Sequence, residues 1–240
     1  MKVRALGSLV VLAAGCAFTT MNPAHKLEKG ELVVQGGVDA PGVLYIPRLS
    51  GALSYGTGGG DIGAHVGTTV FYVNAGATGL FYLVDRERWA LSLQSDFTIT
   101  STELSLFTAS ERFGFVTLNP RLGTVLGSNK EHLYGGFQFL GILPFNISDG
   151  ADLPSGPGFA PGGYIGWADD TRGNIDYQIE LSASPIGIFP GLNEDSEAYS
   201  LTMTPIFQIG FSFQYRQEQN TVPSPSAPPA ETPRGPDPIL

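Results

Sequence analysis

Residues 200–216 read SLTMTPIFQIGFSFQYR. Leu201, Met203, Pro205, Phe207, Ile209, Phe211, Phe213 and Tyr215 hold the odd positions, and all are apolar or aromatic. Ser200, Thr202, Thr204, Ile206, Gln208, Gly210, Ser212, Gln214 and Arg216 hold the even ones, where Ile206 is the single break in a polar face. A helix would scatter such a pattern around its axis, whereas a strand sends it to the two faces of a sheet. The stretch predicts a long strand over 201–215.

The same period recurs. Ile175, Tyr177, Ile179, Leu181 and Ala183 alternate with Asn174, Asp176, Gln178, Glu180 and Ser182. Trp89, Leu91, Leu93, Phe97 and Ile99 oppose Ala90, Ser92, Gln94, Asp96, Thr98 and Thr100. Val116, Leu118, Pro120, Leu122 and Leu126 oppose Thr117, Asn119, Arg121 and Gly123. No segment sustains a period of ~3.6. Strands are expected at 31–38, 48–56, 61–71, 75–84, 89–100, 114–126, 131–143, 159–168, 174–185 and 201–215. Many reach the ~9–11 residues with which a tilted strand crosses a bilayer.

Short connections alternate with long ones along much of the chain. Thr57-Gly58-Gly59-Gly60, Asp85-Arg86-Glu87-Arg88, Gly127-Ser128-Asn129-Lys130 and Asp169-Asp170-Thr171-Arg172-Gly173 are turn-like, and 101–113, 144–158 and 186–199 are longer. A meander with its turns on one side and its loops on the other has this rhythm. An even strand number then puts both ends of the barrel segment on the short-turn side.

Composition decides which face meets what. Charged residues make up 15% of the 240 residues, and glycine contributes 32, whereas soluble domains carry ~25% charge and ~7% glycine. The polar face of the strands is rich in Gly, Ser, Thr and Gln and lacks the Lys and Glu of a water-facing surface. The other face carries aromatics, several near strand ends. Apolar side out is therefore expected, with small and polar residues filling a narrow interior. The 22 acidic and 13 basic residues give a net charge of −9, which speaks against a nucleic-acid partner.

On these patterns residues 31–216 resemble the bacterial outer-membrane β-barrel proteins, though no single motif assigns a specific family. The resemblance implies an all-β fold: one antiparallel up-and-down transmembrane-type β-barrel of about ten strands, within a range of 8–12. Phe207, Phe211, Phe213 and Tyr215 look like the terminal aromatic insertion signal of such barrels, which usually ends the chain and here does not.

The ends read differently. Lys2 and Arg4 precede the apolar run ALGSLVVLAA at 5–14, too short to span a bilayer as a helix. It leads into Leu12-Ala13-Ala14-Gly15-Cys16, which resembles the lipobox of bacterial lipoproteins, with Ala13 where the family most often has Leu. The resemblance implies a signal peptide at 1–15, acylation of Cys16, a tether over 16–30 and delivery to the outer membrane, since Ala17 is not an Asp retention signal. Cys16 is the sole cysteine, so no internal disulfide is expected. Residues 217–240 are proline-rich and read as a solvated tail.

Chemistry is sparse. Of the three histidines, His25 lies in the tether, His65 on the small-residue face of its strand, and His132 just after a short turn. No oriented nucleophile declares itself beside them, and His132-Leu133-Tyr134 lacks the serine found two residues on in similar lipid-A deacylases. The expectation is a non-enzyme. His65, Asp96, Arg121, Asp176 and Glu180 are the candidate polar groups of the lumen, either as an ion-pair network or as contacts for a solute. No metal-ligand spacing or phosphate-cradling loop occurs, so no cofactor is indicated. The expected partner is membrane lipid, with lipopolysaccharide and small solutes as further candidates. The expected role is structural, adhesive or a narrow passage. Its rivals are a soluble lipid-binding barrel tethered at Cys16 and a lipid-modifying barrel enzyme.

Overall fold

The computed structural model describes residues 26–41, 47–69, 72–86, 88–103, 112–127, 131–146, 156–169, 175–190, 199–202 and 206–216. The signal peptide, Cys16, His25 and the proline-rich tail lie outside the described residues. The strands are β1 (Leu32–Pro41), β2 (Arg48–Gly56), β3 (Gly60–Thr68), β4 (Tyr72–Arg86), β5 (Trp89–Glu103), β6 (Arg112–Gly127), β7 (Glu131–Asn146), β8 (Gly158–Asp169), β9 (Ile175–Ser184), β10 (Gly187–Pro190), β11 (Tyr199–Thr202) and β12 (Ile206–Arg216). No described helix is long and apolar enough to cross a membrane.

Each strand from β1 to β9 pairs antiparallel with the next, β9 pairs with β12, and β12 returns to β1. Ten strands thereby close into a barrel, which leaves the ring no free edge. β10 and β11 are extensions of its wall. β10 pairs with β8 at Ile188↔Phe159 and with β11 from Gly187↔Thr202 to Pro190↔Tyr199. Both pairings continue those of β9 and β12 with a one-residue irregularity. Two expectations are corrected here. The predicted strand 201–215 is two strands, β11 and β12, and the predicted loop 186–199 contains β10.

The turns follow local chemistry. Thr57 leads from β2 to β3, its N–H and Oγ1 both donating to Gly60 O at 2.8 and 2.7 Å, and Gly58 takes φ 94°, where a side chain would be strained. The last residues of the expected tether pack against the barrel instead of hanging free. Glu31 N–H donates to Glu28 O at 3.0 Å, and Gly30, at φ 89°, donates to Gly56 O at 2.8 Å. This turn throws Leu27 across the mouth, where it is fully buried and its N–H meets Asp61 Oδ1 at 3.3 Å. Lys26 pairs with Asp85 at 2.7 Å on the β4 side. The chain thus folds back over the short-turn end of the barrel.

Candidate functional site: the polar lumen

β5 shows how the wall sorts its residues. Ser92, Gln94, Asp96, Thr98 and Thr100 are buried, while Leu93, Phe97 and Ile99 are exposed. The same holds around the ring. Gln35, Asp39, Arg48, Asn74, Asn119, Gln138, Gln178 and Gln214 are buried, and Val34, Leu53, Val66, Phe81, Leu122, Leu181 and Phe211 are exposed. A soluble barrel would invert this arrangement. About ten such residues, at ~3.3 Å each and tilted ~40°, give an apolar band ~25 Å tall. Tyr55, Trp89 and Tyr215 stand exposed near its short-turn border, as an aromatic girdle does. This is a β-barrel of the outer-membrane type. Among solved structures, the outer membrane protein OprG of Pseudomonas aeruginosa is similar at 11% identity and a TM-score of 0.40, covering 80% of this chain and 98% of its own. The outer membrane protease OmpT of Escherichia coli is similar at 9% identity and a TM-score of 0.33, covering 78% of this chain and 94% of its own. No family model matches the chain, nor does any curated protein.

Glycine makes the lumen possible. His65 on β3 lies over Gly76 of β4, Tyr164 on β8 over Gly123 of β6, and Tyr134 on β7 over Gly166 of β8; a Cβ at any of these glycines would collide with the ring. Each of these three inward side chains thus lies against a bare patch of a nearby strand. This allows a narrow barrel to hold aromatic and charged groups without overpacking.

All five candidates named from the sequence lie in this interior. Arg121 Nη1 donates to Glu180 Oε1 at 2.9 Å across the lumen, and its guanidinium stands 4.4 Å from the Tyr164 ring centroid. His65 and Asp96 come together as part of a cluster with Thr98. His65 Nε2 is 3.0 Å from Thr98 Oγ1, which donates to Asp96 Oδ1 at 2.7 Å. His65 Nδ1 lies 3.5 Å from Asp96 Oδ2, an attractive contact when the ring carries its second proton. Asp176 is buried near the short-turn end, on the strand face opposite Gln214.

The cluster has the residue types of a hydroxyl, a base and an acid. Its geometry does not arm a nucleophile, because the one hydroxyl proton goes to the carboxylate and Thr98 is fully buried. His132 is buried at the short-turn end of β7, its ring centroid 6.4 Å from that of Tyr134. Among the described residues no group of His, Cys, Asp and Glu is placed to hold a metal ion.

The sequence reading missed two features. The first is a second ion pair, Arg48 with Asp39, whose Nε donates to Oδ1 at 2.9 Å. Its signal was present, since β1 and β2 are adjacent strands and both residues fall on the inward phase. The second is a glutamine ladder. Gln35 Nε2 donates to Ser212 Oγ at 2.8 Å, Gln214 Nε2 to Gln178 Oε1 at 3.1 Å, and Gln178 Nε2 to the Tyr134 hydroxyl. Its bonded partners are 36 to 177 residues apart in no obvious motif, so only closure of the barrel joins them.

Proposed function

We propose that the chain is an integral outer-membrane protein whose lumen is a narrow, water-lined passage for small polar solutes, with a preference for cations. The carrying observation is the character of the interior. Among the described residues the buried carboxyls are Asp39, Asp61, Asp96, Asp176 and Glu180, against the guanidiniums of Arg48 and Arg121. Alongside this acidic excess, Asn74 Oδ1 and Nδ2, Gln94 Nε2, Thr100 Oγ1, Thr117 Oγ1 and Asn119 Oδ1 are buried and find no partner in the protein. Buried polar groups are normally paired, and where protein does not pair them water does. An aqueous thread edged by carboxylates favours cations over anions.

The passage is narrow by construction. Eight strands are already filled by side chains, and wide aqueous channels take ~16. The reading is non-enzymatic, in keeping with the buried Thr98. It places the chain in the outer membrane with lipid as its immediate partner. Lipid anchoring through Cys16 fits this topology, because the described chain enters at the short-turn end. Lys26 lies ten residue steps beyond Cys16, a reach of up to ~35 Å at ~3.5 Å each.

The test is electrical. Purified protein in a planar bilayer should give small, steady conductance steps, and a KCl gradient should give a reversal potential of the sign set by K⁺. Asp96→Asn together with Asp176→Asn should reduce that potential. Silent bilayers containing demonstrably inserted protein would remove the passage reading and leave a structural barrel. Mass spectrometry of the mature N-terminus tests the anchor, with acylated Cys16 expected and a free Ala17 or earlier start opposing it.

A further inference from the structure

Residues 26–31 cover the short-turn mouth through a small set of contacts that differ in strength. Gly30 N–H donates to Gly56 O at 2.8 Å, and Gly56 N–H donates to Glu31 O at 2.9 Å, so this end is pinned to β2. Gly30 takes φ 89°, a backbone state that suits glycine and places a pivot there. Beyond the pivot the segment is held by less. Lys26 pairs with Asp85 at 2.7 Å and stands 5.7 Å from the Tyr82 ring centroid. An ion pair as exposed as this one contributes little. The firm contact is Leu27, fully buried, whose N–H donates to Asp61 Oδ1 at 3.3 Å.

Asp61 lies beneath that contact. It pairs with Gly56, one step beyond Tyr55 of the girdle, and so sits at the mouth, outside the apolar band. It is 2% exposed, and its Oδ2 finds no partner in the protein. A carboxylate in that state is costly, while the neutral acid is tolerated. Burial pushes the Asp61 carboxyl up to about 7, with Glu31 adding to it, against the opposing Leu27 N–H and Lys26. The groups that face it are Lys26 and Glu31 of the segment and Tyr82 of β4, with Asp85 behind Lys26. On the β2 side it meets only the backbone of Gly56. The segment rests on that same bare glycine, since a Cβ at Gly56 would collide with Glu28 O and Leu27 Cβ.

We propose that Lys26–Glu31 is an acid-seated plug: it closes the short-turn mouth while Asp61 carries its proton, and it lifts about Gly30 when that carboxyl ionises. As a control on flow, the plug rests on the reading of the lumen as a passage. Seated, it shuts Asp61 from water and holds the neutral acid. Lifted, it leaves Asp61 in water, where a carboxyl titrates near ~4. The lifted state therefore binds fewer protons between ~4 and about 7. Raising the pH through that window favours lifting, by up to about tenfold per pH unit for one proton. Below the window both states are neutral and above it both are ionised, so the balance is flat on either side.

The experiment uses full-length protein in phosphatidylcholine vesicles, read by amide hydrogen exchange and, separately, by bilayer conductance. After correction for the intrinsic pH dependence of exchange, protection of Leu27–Glu31 should fall by up to about tenfold per unit between about pH 5 and 7. Protection of Leu93–Thr98 in β5 should stay constant over the same range. Asp61→Asn keeps an oxygen for the Leu27 N–H and has no charge to gain, so its plug should stay protected throughout. Asp61→Ser replaces it if the first variant fails the heat-modifiable gel shift of a folded barrel. Gly56→Ala should remove protection at every pH, because the new methyl takes the place of the plug. Conductance steps should be larger at about pH 7.5 than at about pH 5 in the unaltered chain, and equal in Asp61→Asn. Protection that ignores pH, or that keeps its slope in Asp61→Asn, would overturn the plug even in a conducting barrel. Silent bilayers beside pH-dependent protection would remove the passage and leave the plug standing.

Discussion

Arg121→Met tests the balance of charge inside the barrel. Arg121 is 1% exposed, holds Glu180 at 2.9 Å and lies on the Tyr164 ring. Removing one member of a buried pair leaves an uncompensated charge and costs ~3–5 kcal/mol, whereas exposed pairs are worth ~0–1 kcal/mol. Lumen water relieves part of the penalty, which points to the lower end, ~3 kcal/mol, or more than a hundredfold in the folding equilibrium. Arg121→Met with Glu180→Met removes both charges at similar volume and should recover most of that loss. Arg121→Lys keeps the charge but gives up the flat stack on Tyr164, so a loss of ~1 kcal/mol is expected. Reversible urea unfolding in lipid vesicles, followed by tryptophan fluorescence, supplies all four stabilities. If Arg121→Met costs under ~1 kcal/mol, the pair is solvated as at a surface. If the double variant loses at least as much as Arg121→Met alone, the two charges do not compensate one another. Either result refutes the reasoning.

Gly123→Ala should destabilise by ~1–3 kcal/mol, because the new methyl meets the Tyr164 hydroxyl, and Tyr164→Phe should restore most of the loss; the same unfolding assay reads it. Leu27→Asp puts a charge where Leu27 is fully buried across the short-turn mouth, and it should raise single-channel conductance while the barrel keeps its heat-modifiable gel shift. Unchanged conductance would mean that Lys26 to Glu31 does not obstruct the path. Cysteines placed at Phe211 and Leu181, both about half exposed on the outer wall, should resist a water-soluble maleimide in vesicles and react once detergent strips the lipid. Reaction in intact vesicles would contradict a lipid-facing wall.

Which residues face inward was legible because alternation is local. β5 needs no partner to declare that Asp96 and Thr98 share a face with Gln94, and the structure buries all three. Phase alone put His65, Asp96, Arg121, Asp176 and Glu180 inside. It could not say which would touch, since contact across a lumen depends on strand order, register and tilt together. Arg121 and Glu180 are 59 positions apart, and no local pattern carries that separation. The fold of Lys26–Glu31 over the mouth escaped for another reason: polar, lysine-bearing sequence ahead of a first strand has the composition of a tether. Only the burial of Leu27 and the tight turn at Gly30 reveal its placement.

The division of β11 from β12, and of β9 from β10, shows a deeper limit of reading strands by period. Side-chain alternation reports the direction of each Cβ and is indifferent to the backbone N–H. Pro205 counts as one more apolar odd position in 200–216, so the stretch reads as one strand while the structure divides it into β11 and β12. Pro161 and Pro185 sit as comfortably in their own patterns. A strand pairs through N–H groups, however, and each proline removes one. A lone proline in a barrel leaves one missing rung beside intact neighbours. Pro161 and Pro185 fall opposite one another when the β8–β9 register is carried two steps on, and beyond them β8 is next paired at Phe159, by β10. The inward pattern thus specifies what the lumen contains, and the distribution of missing donors bears on where one strand of its wall hands over to the next. The second code becomes readable only when the register is known, because it lies in the alignment of prolines between strands and not within any one of them.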